Sequence, residues 1–259
     1  MRSRLSGRFL LPAAFLGAAL VPAAADTLST RYDVSLIGLP VGRAEFKTEI
    51  SGNAYSVDGT LSSSGLADLL TTIKGTSSVA GRIAGDKLFA TRYGLDYKSG
   101  KKVYKSDVAF QSGRVASAEV QPKAKVNKDF VPVQPEQLRQ VVDPLSGLML
   151  KPVKTPDDLC TRTLPFYDGW SRVDLKFSPA GRKPIETDGF KGEAIACDVR
   201  IQPVSGYKVT SSGVKFIVRQ TVQIWFAPIG ATGIYAPVYA RVPTQIGPLT
   251  FNASTFAKG

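Results

Sequence analysis

Apolar and polar side chains alternate along most of this chain, and that period of two restricts it to strands with one dry and one wet face. Ala44, Phe46, Thr48 and Ile50 take one side, while Arg43, Glu45, Lys47 and Glu49 take the other. Tyr55, Val57, Gly59 and Leu61 alternate with Ser56, Asp58 and Thr60. Val173, Leu175 and Phe177 alternate with Arg172, Asp174 and Lys176, and Ile195, Cys197, Val199 and Ile201 with Ala196, Asp198, Arg200 and Gln202. Turn pairs at Gly52-Asn53, Gly85-Asp86, Ser99-Gly100 and Ser112-Gly113 punctuate these runs, as local hairpins require. The pattern predicts about twelve strands, near residues 30–38, 41–51, 54–63, 75–84, 87–97, 102–111, 114–120, 171–178, 194–203, 215–227, 237–243 and 247–256.

An antiparallel meander of that length, apolar on one face, must curl around its own interior or pack on a second sheet. The expected fold is mainly β: a curled open barrel or β-spiral with one to three short helices at its mouth. A β-sandwich is the alternative. Residues 26–259 read as one domain, with connecting loops at 121–135 and 178–193.

Two segments break the alternation. In Gly65 to Lys74, Leu66, Leu69, Leu70 and Ile73 fall at helical spacing, with Ser64 placed to cap. From Pro135, Leu138, Val141 and Val142 also show helical spacing until Pro144. Asp143 then reads as a fresh N-cap with Pro144 at the first helical position, and Leu145, Leu148 and Met149 continue the stripe. Such helices plug the mouth of a curled sheet, or gate a cavity in it.

Residues 1–25 read as an export signal: Arg2, Arg4 and Arg8, an apolar run from Phe9 to Val21, then Ala23-Ala24-Ala25 before Asp26. The apolar run is too short to span a bilayer. Position 26 is Asp, not the Cys of a lipid anchor. The exported chain is then expected to be a soluble periplasmic protein carrying +9 of the full chain's +12. That balance favours an anionic envelope surface, and the compartment disfavours nucleic acid. Cys160 and Cys197 are the only cysteines, and an oxidising compartment makes a structural bridge between them the default.

No histidine occurs anywhere in the sequence. Its absence removes the usual general base, the Ser-His and Cys-His nucleophile pairs and the commonest metal ligand. Catalysis by Asp143, Ser146 and Lys151 has no spacing to support it, and Asp157-Asp158 falls short of a calcium loop. No cofactor, no metal site and no catalytic residue is expected.

Phe166-Tyr167-Asp168-Gly169-Trp170 is the densest aromatic cluster, and Asp168-Gly169 is a hairpin turn signal. Tyr167 and Trp170 either pack against the Cys160–Cys197 region or stack on a ligand at a cavity rim. Tyr32, Phe46, Tyr55, Phe89, Tyr93, Tyr97, Tyr104, Phe110, Phe216 and Phe226 suggest a wide interior lined by large rings. Gln220 interrupts that face between Val218 and Val222, and a polar residue there needs a partner in the fold or a ligand.

The chain resembles an uncharacterised bacterial exported family, domain of unknown function 3108. The likeness rests on Tyr32-x-Val34, Gly38-Leu39-Pro40-Val41-Gly42-Arg43-Ala44, Val142 to Leu148, Phe166 to Gly169, and Val222-Gln223-Ile224-Trp225. It spans nearly the whole exported chain and implies no reaction. The architecture is also similar to exported β-spiral proteins shaped like lipoprotein carriers, which implies an envelope protein that holds a lipid, lipoprotein segment or peptide in a curved sheet. The leading expectation is a non-enzymatic envelope-maintenance protein binding an apolar ligand or partner segment. The alternatives are a scaffold that binds envelope proteins through sheet edges or loops, and a cell-wall hydrolase.

Overall fold

The computed structural model describes residues 25–65 and 72–259. The export signal, and Leu66, Asp68, Leu69 and Leu70 of the first expected helix, lie outside the described residues. Fifteen strands run in chain order: β1 (Asp26–Leu36), β2 (Leu39–Ser51), β3 (Ala54–Ser63), β4 (Ile73–Ala84), β5 (Lys87–Ser99), β6 (Lys102–Gln111), β7 (Arg114–Gln121), β8 (Phe130–Val131), β9 (Thr163–Tyr167), β10 (Arg172–Thr187), β11 (Phe190–Ser205), β12 (Tyr207–Lys208), β13 (Val222–Pro228), β14 (Tyr235–Thr244) and β15 (Gly247–Lys258). Thirteen of them make one antiparallel sheet ordered β7-β6-β5-β4-β3-β2-β1-β15-β14-β13-β11-β10-β9. The last strand returns to pair with the first, and β8 and β12 form a separate small pair. This is an unclosed, barrel-like sheet, and not two separate large sheets packed as a sandwich.

Alternation sets which face is dry. Leu28, Tyr32, Ala44, Val57, Val79, Tyr93 and Val108 bury one face of β1–β6 against Val141, Met149, Tyr167 and Phe256. A second apolar cluster gathers Phe177, Ile195, Val199, Val222, Ile224 and Phe226 around the Cys160–Cys197 disulfide, with Leu150 and Leu159 covering it. Small residues let neighbours close in. Phe46 lies over Gly59, where an added Cβ would meet its ring at 2.5 Å.

Several expected elements differ. The 178–193 loop is instead the long β10–β11 hairpin, because Arg182–Thr187 pairs with Phe190–Ile195 despite Pro184. Ile73 and Lys74 open β4 and pair with Ser99 and Lys98. The expected 215–227 strand splits into a short helix α1 (Ser212–Ile217), capped by the Ser211 hydroxyl accepting from Val214 N, and then β13. Phe216 therefore rides α1 and is not part of the sheet. Phe89 is not buried and lies beneath the Arg82 guanidinium.

The helical spacing from Pro135 yields only one 3₁₀ turn, Pro135–Leu138. Beyond it Arg139 and Val142 form bridges, either side of a bend at Gln140 (φ +53), because both sheet edges there need backbone partners. Arg139 bridges Arg114 on β7, Val141 N donates to Gly113 O at 3.0 Å, and Val142 bridges Phe166 on β9. This four-residue segment spans the opening between the two edges. Two more 3₁₀ turns follow, Ser146–Leu148 and Pro156–Cys160.

The disulfide closes a 37-residue separation between the 3₁₀ turn Pro156–Cys160 and β11. Reducing it, or replacing both cysteines by alanine, is expected to cost about 4 kcal/mol by the chain-entropy relation. For a chain of this size that lowers the unfolding midpoint by roughly 10 °C; thermal denaturation with and without reductant checks it.

Candidate functional site

Two features stand out: a closing seam built on two carboxylates, one fully buried and one half-buried, and a long trough on the polar face. At the seam, Asp143 is fully buried, and its Oδ1 accepts from Leu145 N at 2.9 Å and Ser146 N at 3.0 Å. The capping role expected of Asp143 is thus played to a 3₁₀ turn, which Pro144 helps to start. Tyr55 OH and Ser146 Oγ share a hydrogen bond of 2.6 Å. Gly147 admits Phe166, whose ring would meet an added Cβ at 2.4 Å. Asp143 Oδ2 is buried with no hydrogen-bond partner.

Asp168 repeats the device. Its Oδ1 accepts from Trp170 N at 2.8 Å and Ser171 N at 2.7 Å, making a four-residue connection between β9 and β10 where a two-residue turn was expected. Gly169 adopts φ +100 and sits against Ser106 and Val120, a fit no side chain permits. Ser106 Oγ donates to Asp168 O at 2.6 Å, and Trp170 Nε1 donates to Pro122 O at 2.9 Å. The β9–β10 connection is thereby tied to β6 and the end of β7.

The rim contacts expected of three residues do not appear. Tyr167 is buried in the main core, apart from the disulfide cluster, and its OH donates to Gly169 O at 2.9 Å. Trp170 is committed to the seam. Gln220 is not on a strand face; it ends the turn after α1, its N donating to Ile217 O at 3.0 Å. None of the three lines the large hollow.

That hollow measures about 1470 Å³ and runs across β1–β7. Its residues form three adjacent transverse rows in register. The middle row is Thr30, Phe46, Gly59, Ser77, Leu95, Ser106 and Val120, each opposite the next. Those side chains face the core; Thr30 is 5 % and Ser106 3 % exposed. The neighbouring core-facing side chains, Tyr32, Val57, Val79 and Tyr93 among them, line none of it. The space therefore lies on the opposite, polar face, floored by the middle row's backbone and walled by the two flanking rows.

One wall carries Lys47, Asp58, Asp107 and Glu119, the other Arg31, Glu45, Asp96 and Lys105. Ion pairs lace them: Arg31 Nε–Glu45 Oε1 at 2.8 Å and Lys105 Nζ–Asp96 Oδ2 at 2.7 Å. Arg92 clamps Asp107 with two hydrogen bonds. Asp107, with Glu119 adding to it, pushes the guanidinium of Arg92 further up. This corrects the expected apolar hollow: apolar side chains fill the dry face of the described residues, and the free volume lies over charged and hydroxyl groups. Sequence alternation marked these wall residues only as the wet face.

Among the described residues, no three of Cys, Asp or Glu gather as a metal ion would need, and no helix is long and apolar enough to cross a membrane. A barrel-like, mainly β protein with one disulfide is the class this geometry defines. The chain matches "Protein of unknown function (DUF3108)" over residues 31–254 and belongs to that family. Its fold is also similar to a beta-barrel-like protein of domain of unknown function DUF1849 from Brucella abortus. The TM-score is 0.52 at 8% identity, over 92% of this chain and 99% of that one. No curated protein matches the sequence.

Burial pushes the carboxyls of Asp143 and Asp168 above the usual carboxylate range, with backbone hydrogen bonds opposing it. A group whose folded pKa is raised favours folding in its protonated state. Its contribution is complete below the unfolded value and declines as pH rises from about 4, by at most about 1.4 kcal/mol per pH unit for one group. Asp143→Asn removes that decline while keeping an acceptor for Leu145 N and Ser146 N. Its stability relative to the natural chain is expected to rise with pH in urea unfolding; a constant difference would contradict a raised Asp143.

Proposed function

We propose that the chain is an exported, periplasmic, non-enzymatic binding protein whose trough holds an extended peptide segment of an envelope partner. The single observation carrying this reading is that the large hollow lies over two walls of mixed charge. Seven strands spaced about 4.8 Å apart give it a length of roughly 30 Å, enough for about nine extended residues. Backbone amides and alternating side chains of a peptide match walls whose own ion pairs can exchange partners. An acyl chain would leave those charges desolvated without compensation. The lack of histidine in the whole sequence supports a role without acid–base chemistry, and the disulfide and the Arg-rich, Ala-ended first residues support export.

A second reading, a scaffold that pairs through a sheet edge, draws on β7. Ala116, Ser117 and Ala118 are exposed along that edge strand, where a partner strand can add.

Gly94 separates the two. It lines the trough, and an added Cβ there meets only Ser78 Oγ, at 3.3 Å. Gly94→Trp should fill the trough, leave the unfolding midpoint unchanged and weaken capture of envelope peptides by about tenfold or more, equivalent to about 1.4 kcal/mol. Photocrosslinking from Thr76 in cells, with and without the substitution, measures it. Crosslinks that persist unchanged would reject the trough, and loss instead on Ser117→Pro would favour the edge.

A further inference from the structure

The strand order sends the β1–β2, β5–β6, β7–β8, β9–β10, β12–β13 and β14–β15 connections to one pole of the sheet. Their described charges are Lys101, Lys123, Lys125, Lys128, Lys215 and Arg219 against Asp129, the half-buried Asp168, and Glu136 on the turn that Gln137 ties to Arg172 and Ser205. The opposite pole, which the long connection reaches at Arg139, sets Arg139, Lys151, Lys154 and Arg162 against Asp86, Asp143, Asp157, Asp158 and Asp188. The chain's positive charge is thus segregated by topology, a feature invisible along the sequence.

Exposed apolar side chains follow the same division. Val153 apart, every large hydrophobic exposed among the described residues sits at the basic pole. Ile37 (61 %), Leu39 (55 %) and Ile246 (68 %) lie on its two adjoining hairpins, and Leu61, Val126, Val209 and Val218 lie at the same pole. The two tip hairpins touch: Ile37 N donates to Pro248 O at 3.0 Å, and an added Cβ on Gly247 would meet Ile37 Cγ1 at 2.6 Å. Ile37 holds φ +53 and Gly38 φ +80 in a two-residue turn. Asparagine or glycine suits the first of those positions, whereas a β-branched side chain there is strained. The fold thus keeps an isoleucine where it is conformationally costly and faces solvent.

We propose that this pole docks on an anionic lipid bilayer, with Ile37, Leu39 and Ile246 entering the interface and the surrounding lysines facing lipid phosphates. Lipid fits better than a protein partner because the cations are nearly all lysines, which protein interfaces exclude in favour of arginine and aromatic residues. Clustered lysines beside a few inserted apolar side chains are what a negatively charged leaflet attracts. The proposal is independent of the trough, whose walls carry more acids than bases.

Flotation of the exported, purified chain with phosphatidylglycerol-containing vesicles, and with phosphatidylcholine vesicles as reference, tests it. Binding to the anionic vesicles alone is expected, weakening as salt is raised. Lys101→Glu with Lys125→Glu and Lys128→Glu should reduce it by roughly tenfold or more. Ile37→Asn with Ile246→Ser should do the same, while Ile37→Asn alone raises the unfolding midpoint by suiting the turn, a readout that excludes misfolding. Lys151→Glu with Lys154→Glu at the far pole should leave binding unchanged. Failure to float with anionic vesicles, equal binding to both vesicles, or equal loss from the far-pole variants would overturn the proposal.

Discussion

A thirteen-stranded sheet that does not close has two edges, and everything else in this structure depends on how they are brought together. Unpaired edge groups invite association with other chains. Here Arg139–Val142 crosses the opening, reaching β7 through Arg114 and Gly113 and β9 through Phe166. A loop so deep must satisfy its own backbone, and two aspartates do so, the buried Asp143 for the turn at Leu145–Ser146 and the half-buried Asp168 for the turn at Trp170–Ser171. Each is a carboxylate used as a rigid acceptor, held in surroundings that favour its protonated form.

The seam also decides where free space is left. By filling the dry side with Val141, Met149 and Tyr167, it turns that face into packed core. The volume that remains lies on the other side of the same strands, above the backbone of the row from Thr30 to Val120. One sheet thus carries a core on one face and a polar trough on the other, while its loop connections sort charge between the two poles. The three features use different groups: inward side chains, outward side chains and turns.

How much of this could be read from the residues follows from the range of the interactions involved. Strands β2 to β7 were legible to within two residues, because period two and the turn pairs Gly52-Asn53, Gly85-Asp86 and Ser112-Gly113 are local, whereas β1 begins four residues before its expected start. Strand β10 was cut short at the run after Pro179, since prolines normally end pairing, yet here the hairpin resumes beyond a bulge between Pro179 and Arg182. Val218, Gln220 and Val222 alternate as a strand would, but the Ser211 cap selects a helical turn first. At the seam, Leu138, Val141 and Val142 show helical spacing that long-range edge pairing overrides. The site was legible only as chemistry without position. Asp143, Pro144, Asp168 and Gly169 were marked as caps and turns, while the trough depends on the register of seven strands, which no local pattern states.

The seam as closing device is tested most directly by amide hydrogen exchange at Val141, Val142 and Tyr167, whose N–H groups bond to Gly113 O, Pro165 O and Val142 O. These three amides should exchange as slowly as those of core strands such as β3 and β5, opening only with global unfolding. Rapid exchange there, with β3 and β5 still protected, would mean that the edges are not joined and that the barrel-like shape has another cause.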